Sequence, residues 1–146
     1  MTHHTILHIT AADLDADGYY IGATDVSQEF DGHIEIAADL GPVKFSTSLR
    51  AKFSIRAMSG SGIEAGEGIK AGEGIKAGWG IEAGWGIEAG LSISAKWISA
   101  KLRVFAGLCI WRVPTPDEMT IKAELCGGTI AFGTHVPPPT DQQAAE

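Results

Sequence analysis

Residues 62–97 read GIEAGE GIKAGE GIKAGW GIEAGW GIEAGL SISAKW, six hexads in succession. Ile63, Ile69, Ile75, Ile81, Ile87 and Ile93 recur every six residues, and Ala65, Ala71, Ala77, Ala83, Ala89 and Ala95 follow them two positions later. In an extended strand, residues i and i+2 share a face. Each hexad is therefore a short strand that turns Ile and Ala inward and Glu or Lys outward. A helix of this composition would carry two glycines in most hexads at about 1 kcal/mol each, and collagen needs glycine at every third position. Glycine after each Ala marks a corner, where its tolerance of positive φ suits a tight bend. Short strands joined by tight corners wind into a solenoid in which each coil pairs with the next. Three hexads give a coil of 18 residues. That register stacks Trp79 on Trp97, Ile75 on Ile93 and Glu64 on Glu82, and sets Lys70 beside Glu88 and Glu67 beside Trp85. The expected fold class is all-β, a three-sided parallel β-helix with capping segments at both ends.

The six-residue step continues outward with looser sequence. Val43-x-Phe45, Leu49-x-Ala51 and Ile55-x-Ala57 precede the regular block, with two extra residues before Ile63; Ile98-x-Ala100, Val104-x-Ala106 and Ile110 resume the step after a five-residue interval from Ile93. The expected organisation is an acidic N-terminal cap at 1–42, the solenoid at 43–112, a C-terminal coil or cap at 113–136 and a disordered tail at 137–146. GYYIGATDV and FDGHIEIA read as strands and turns that add a coil or cover the open edge, which would otherwise offer unpaired backbone groups to another chain.

Of 146 residues, the first 43 hold eight acids and no Lys or Arg, and the rest hold eleven bases against ten acids, for a net charge of −7. A duplex-DNA reader needs a basic stripe to displace counterions, so no direct duplex binding is expected. An acidic patch suits a basic protein surface. No apolar run reaches the roughly 18 residues of a membrane span, and the start MTHHTILH lacks a signal-peptide pattern; no membrane association is expected, and the expected location is the cytoplasm. Cys109 and Cys126 are too few to staple the chain, lie about one coil apart, and are expected as space-filling thiols.

At GIEAGEGIKAGEGIKAGWGIEAGWGIEAGLSISAKWISAKLRVFAG the chain resembles bactofilin-type polymer-forming proteins. The resemblance covers about half the chain and implies a right-handed, three-sided solenoid and self-assembly. By size, acidity and near-identical repeats it also resembles small phage and plasmid proteins that inhibit host defence complexes, such as anti-CRISPR proteins. That analogy implies a basic, nucleic-acid-binding host protein as partner. The left-handed helices of hexapeptide acyltransferases follow [LIV]-[GAED]-x-x-[STAV]-x. This chain departs from them at the fourth position after the aliphatic residue, where Glu67, Glu73, Trp79, Trp85 or Leu91 stands.

Trp79, Trp85 and Trp97 occupy the corner position held elsewhere by Glu67 and Glu73. These five residues are the expected partner-binding set, because exposed Trp is enriched among residues that dominate binding energy. The alternative is that the rings stack and cover the corners. Asp13, Asp15, Asp17 and Gly18 match the opening of an EF-hand loop, although the twelfth position is Thr24 rather than a bidentate acid. A solvated acidic turn competes with that reading. His3, His4, His8, His33 and His135 show no metal or triad spacing, and the glycines form no phosphate loop. No enzymatic activity and no cofactor are expected. The expected function is a non-catalytic, protein-binding solenoid, with a protein partner or a second copy of itself; a homodimer is compatible with that, and an anti-defence inhibitor and an acyltransferase are the alternatives.

Overall fold

The computed structural model describes residues 5–137. All but the first residue of the expected tail lie outside this range, as do His3 and His4. The described chain is a parallel β-helix with three ladders as its walls. The first ladder stacks β1 (Thr5–Ile9), β2 (Gly32–Ile36), β5 (Ile55–Ala57), β8 (Ile75–Ala77) and the start of β11 (Ile93–Ala106). It ends in the start of β12 (Thr120–Phe132) and in β13 (Thr134–Val136). The second contains β3 (Gly41–Phe45), β6 (Ser61–Ala65), β9 (Gly80–Ala83) and the middle of β11 and β12. The third contains β4 (Leu49–Ala51), β7 (Ile69–Ala71), β10 (Ile87–Ala89) and the ends of β11 and β12.

Through Ile93 the register is the one the hexads require; beyond it the partners lie 17 residues apart, with Trp97 opposite Gly80, Ile98 opposite Ile81 and Val104 opposite Ile87. Ile75 pairs with Ile93, Lys70 with Glu88 and Glu64 with Glu82. Ile55, Ile75 and Ile93 form one inward file, Ile63, Ile81 and Ile98 a second, and Leu49, Ile69, Ile87 and Val104 a third. All are buried. Each such side chain removed from water contributes about 1.5–3 kcal/mol, and the Ala files beside them leave room for the opposite walls to meet.

The corners correct one sequence expectation. Positive φ among glycines occurs at Gly18, Gly41, Gly60, Gly107, Gly128 and Gly133, none of them in the hexads. The hexad glycines are needed for close approach. A Cβ on Gly84 would overlap the carbonyl oxygen of Gly66, and one on Gly90 that of Gly72. Stacking is this tight because corner bonds to corner: the Gly84 N–H donates to the Ala65 carbonyl at 2.9 Å, and the Trp85 N–H to that of Glu67 at 3.1 Å. Corner amides left free in an isolated turn are thus satisfied by the coil below.

Both end segments are coils of the same helix. At the N-terminal end β1 and β2 pair in parallel, and Tyr19 bridges Lys44. Tyr20 closes this end against Phe45, ring centroids 5.6 Å apart, and its hydroxyl donates to the Thr24 carbonyl at 3.0 Å. At the other end β12 lies along β11, with bulges where the two strands turn. His135 Nε2 meets the Ala123 carbonyl at 2.6 Å.

Two further expectations are corrected. Ile110 does not continue the ladder: it is 91 % exposed, in an excursion between β11 and β12. Neither cysteine fills the core; Cys109 is half-buried and Cys126 exposed. The excursion is held by Trp111 against Phe53, 6.2 Å between centroids, and by a two-pronged Arg112–Glu118 pair at 2.7 and 2.5 Å. That pair holds the Glu118 carboxyl down to about 2, and the Thr115 backbone N–H adds to the effect.

Candidate binding groove on the third face

In the third ladder β4, β7, β10 and the Val104–Ala106 end of β11 are each an inward–outward–inward triplet, so one outward residue per coil is presented in register. Those residues are Arg50, Lys70, Glu88 and Phe105, each paired with the next. Glu29 joins them because the Phe30 N–H donates to the Arg50 carbonyl at 3.0 Å and fixes the preceding loop along the first of these strands. At the corner leading into the ladder, the Leu102 N–H donates to the Trp85 carbonyl at 2.8 Å, which sets the two side chains on adjacent coils. Trp85 is 52 % and Leu102 60 % exposed. Lys101 and Arg103 flank Leu102. Together with Thr129, these residues line an open groove of about 1050 Å³. Its walls carry Arg50, Lys70, Lys101 and Arg103 against Glu29 and Glu88, an excess of positive charge in a chain whose net charge is −7.

The second face differs in sign. Glu64 and Glu82 face each other there, beside Ser99, Tyr19 and Lys101, in a hollow of about 560 Å³. A hydrogen bond between the two carboxyl groups, with partial burial and mutual repulsion, raises Glu82 above the ordinary carboxylate range. The two glutamates therefore share a proton more readily than isolated carboxylates do.

The five residues expected to bind a partner are not brought together. Trp79 and Trp97 pair edge to face on the corner between the first and second ladders, 6.2 Å between centroids. Trp85 stands on the next corner, above Glu67, whose Oε1 accepts a hydrogen bond from Ser48 Oγ at 3.2 Å. Glu73 lies on the third corner, 4.0 Å from His33 Nδ1. Only Trp85 reaches the groove.

The EF-hand reading is also corrected. Among the described residues no group of three or more His, Cys, Asp or Glu is placed to hold a metal ion. Asp13 instead accepts from the Thr10 N–H at 2.9 Å, and Asp15 Oδ1 accepts from the N–H groups of Asp17 and Tyr19. These carboxylates close a turn. Among the remaining histidines, His33 Nδ1 meets Ser54 Oγ at 2.6 Å and His8 lies 3.7 Å from Glu35.

Sequence reading missed Glu29, Arg50, Lys101, Leu102, Arg103 and Phe105. The signal was available in part: the outward slots of Leu49-Arg50-Ala51, Ile69-Lys70-Ala71 and Val104-Phe105-Ala106 share a phase. Among the described residues no helix is long and apolar enough to cross a membrane. No protein-family model matches the chain, and neither the curated proteins nor the solved structures contain a significant match.

Proposed function

We propose that this protein is a non-catalytic β-solenoid that binds another protein through its outer surface. The observation that carries this reading is the exposed pair Trp85 and Leu102 on the rim of the third-face groove. They sit on a wall stiffened by coil-to-coil hydrogen bonding, so little entropy is lost in ordering them. Exposed apolar groups beside charged ones are the usual make-up of a binding centre and its rim. The test immobilises the whole chain and compares proteins retained from an extract of its source with those retained by a W85A/L102A variant, identified by mass spectrometry. A discrete protein held by the native chain and lost with the variant supports the reading. Identical retention by both overturns it.

One observation favours a second reading, self-assembly. β13 pairs β12 only over Thr120–Lys122, and among the described residues the far edge of 124–132 has no partner strand. An open edge of that length is a template for another chain. Light scattering over a concentration series separates the cases: growth in size with concentration supports assembly, and a constant monomer mass removes it.

A further inference from the structure

We propose that the third-face groove receives an acidic, extended segment of the partner, anchored by apolar side chains against Trp85, Leu102 and Phe105. This deepens the protein-binding reading and rests on it. Charge complementarity comes first. Four Lys or Arg side chains and two Glu line the groove, whereas the chain as a whole has 18 acids against 11 bases. The fold thus collects positive charge on one strip. Arg50 and Lys70 are in register on adjacent strands, about 4.8 Å apart, close enough to reinforce one another at a bound carboxylate. Arg50 and Arg103 add the two-pronged geometry that suits carboxylates.

Length comes second. From Glu29 to Thr129 the strip crosses six successive coils, a span of about 24 Å, which an extended segment of about seven residues covers. The floor then discriminates between anions. A nucleic-acid strand carries a negative charge at every step and would meet Glu88 in the middle of the strip and Glu29 at its end. A peptide can place its own N–H groups or a basic side chain there. Trp85, Leu102 and Phe105 form an apolar wall beside the cations, which matches alternation of acidic and aliphatic residues in the occupant.

The experiment is fluorescence anisotropy with the full chain and three labelled probes: a peptide of about seven alternating Glu and Leu residues, its Lys and Leu counterpart, and a single-stranded oligothymidine. The acidic peptide is expected to bind, with affinity falling as salt rises. R50E/K70E should weaken it at least about tenfold, and E82Q on the second face should leave it unchanged. Circular dichroism of both variants verifies the β signature. The proposal is overturned by any of four results: no binding of the acidic peptide, equal binding of the basic one, tighter binding of oligothymidine, or indifference to R50E/K70E. Self-association abolished by R50E/K70E also overturns it, in favour of a second copy as occupant. If W85A/L102A loses its captured protein while the acidic peptide fails to bind, only this inference falls; if capture ignores the variant, the broader reading falls as well.

Discussion

Trp79 and Trp97 meet edge to face, their planes at 86°, and the Trp97 indole covers Gly80 so closely that a Cβ there would overlap the ring. The pair holds two coils together at one corner. Edge-to-face pairs contribute about 0.5–1.5 kcal/mol beyond the area they bury. A double-mutant cycle of W79A and W97A in urea unfolding should return a coupling of that size; additive losses would show that the rings do not stabilise each other. W79A should leave partner capture intact, because that corner lies away from the groove.

Glycines at different hexad positions, such as Gly84 and Gly68, should differ sharply. At Gly84 an added methyl group has nowhere to go except into the Gly66 carbonyl, whereas at Gly68 the nearest atom to it is the Gly86 oxygen at 3.7 Å. G84A is expected to separate the coils and cost about 1–3 kcal/mol, the range of overpacked sites. G68A should be neutral, or stabilising by up to about 1 kcal/mol through its effect on the unfolded chain. Thermal melts of the two proteins decide this, and equal melting temperatures would contradict the close-approach account.

Glu64 and Glu82 predict a pH response. Glu82 binds its proton more tightly in the folded chain than its ordinary value of 4.5. Between that value and the raised one, the folded state therefore holds more protons than the unfolded state, and stability falls as pH rises. E82Q should gain stability at neutral pH on the scale of one cross-strand pair, roughly 0.2–1 kcal/mol. The gain should vanish below pH 4.5. Urea unfolding at both ends of this range provides the measurement, and a gain that persists in acid would contradict the shared proton.

The Arg112–Glu118 pair has the opposite sign. With the Glu118 carboxyl held down to about 2, its contribution is complete above the ordinary 4.5 and is lost as pH falls toward 2. E118Q should loosen the excursion at neutral pH and increase chymotrypsin cleavage after Trp111 severalfold, with the solenoid still folded. Unchanged cleavage would mean that Trp111 on Phe53 secures the segment by itself.

The regular hexads were legible because one inward slot repeats without interruption. From Ile75 to Ile93 the coil is 18 residues, the spacing read from the sequence. Away from that block the spacing changes: 17 residues from Ile81 to Ile98, 21 from Ile34 to Ile55, and 28 from Ile93 to Ile121. The corners absorb the difference, and for that reason Ile110 kept the phase in sequence yet faces solvent in the fold. The groove was hidden for a related reason. Its cations come from segments as distant as Arg50 and Arg103, and only the stacking of coils places them on one strip. Composition by segment, an acidic first third and a near-neutral remainder, gave no sign of it.

The repeated 18-residue turn has a consequence for how such a molecule can change size. Residues 66–83 span one whole circuit; copying them in tandem would slip in a circuit whose neighbours above and below meet the same carbonyls and the same aliphatic files. Each copy would lengthen the wall by about 4.8 Å and add a lysine row to the strip. Errors of DNA copying could thus lengthen the wall by whole circuits, with no new sequence invented.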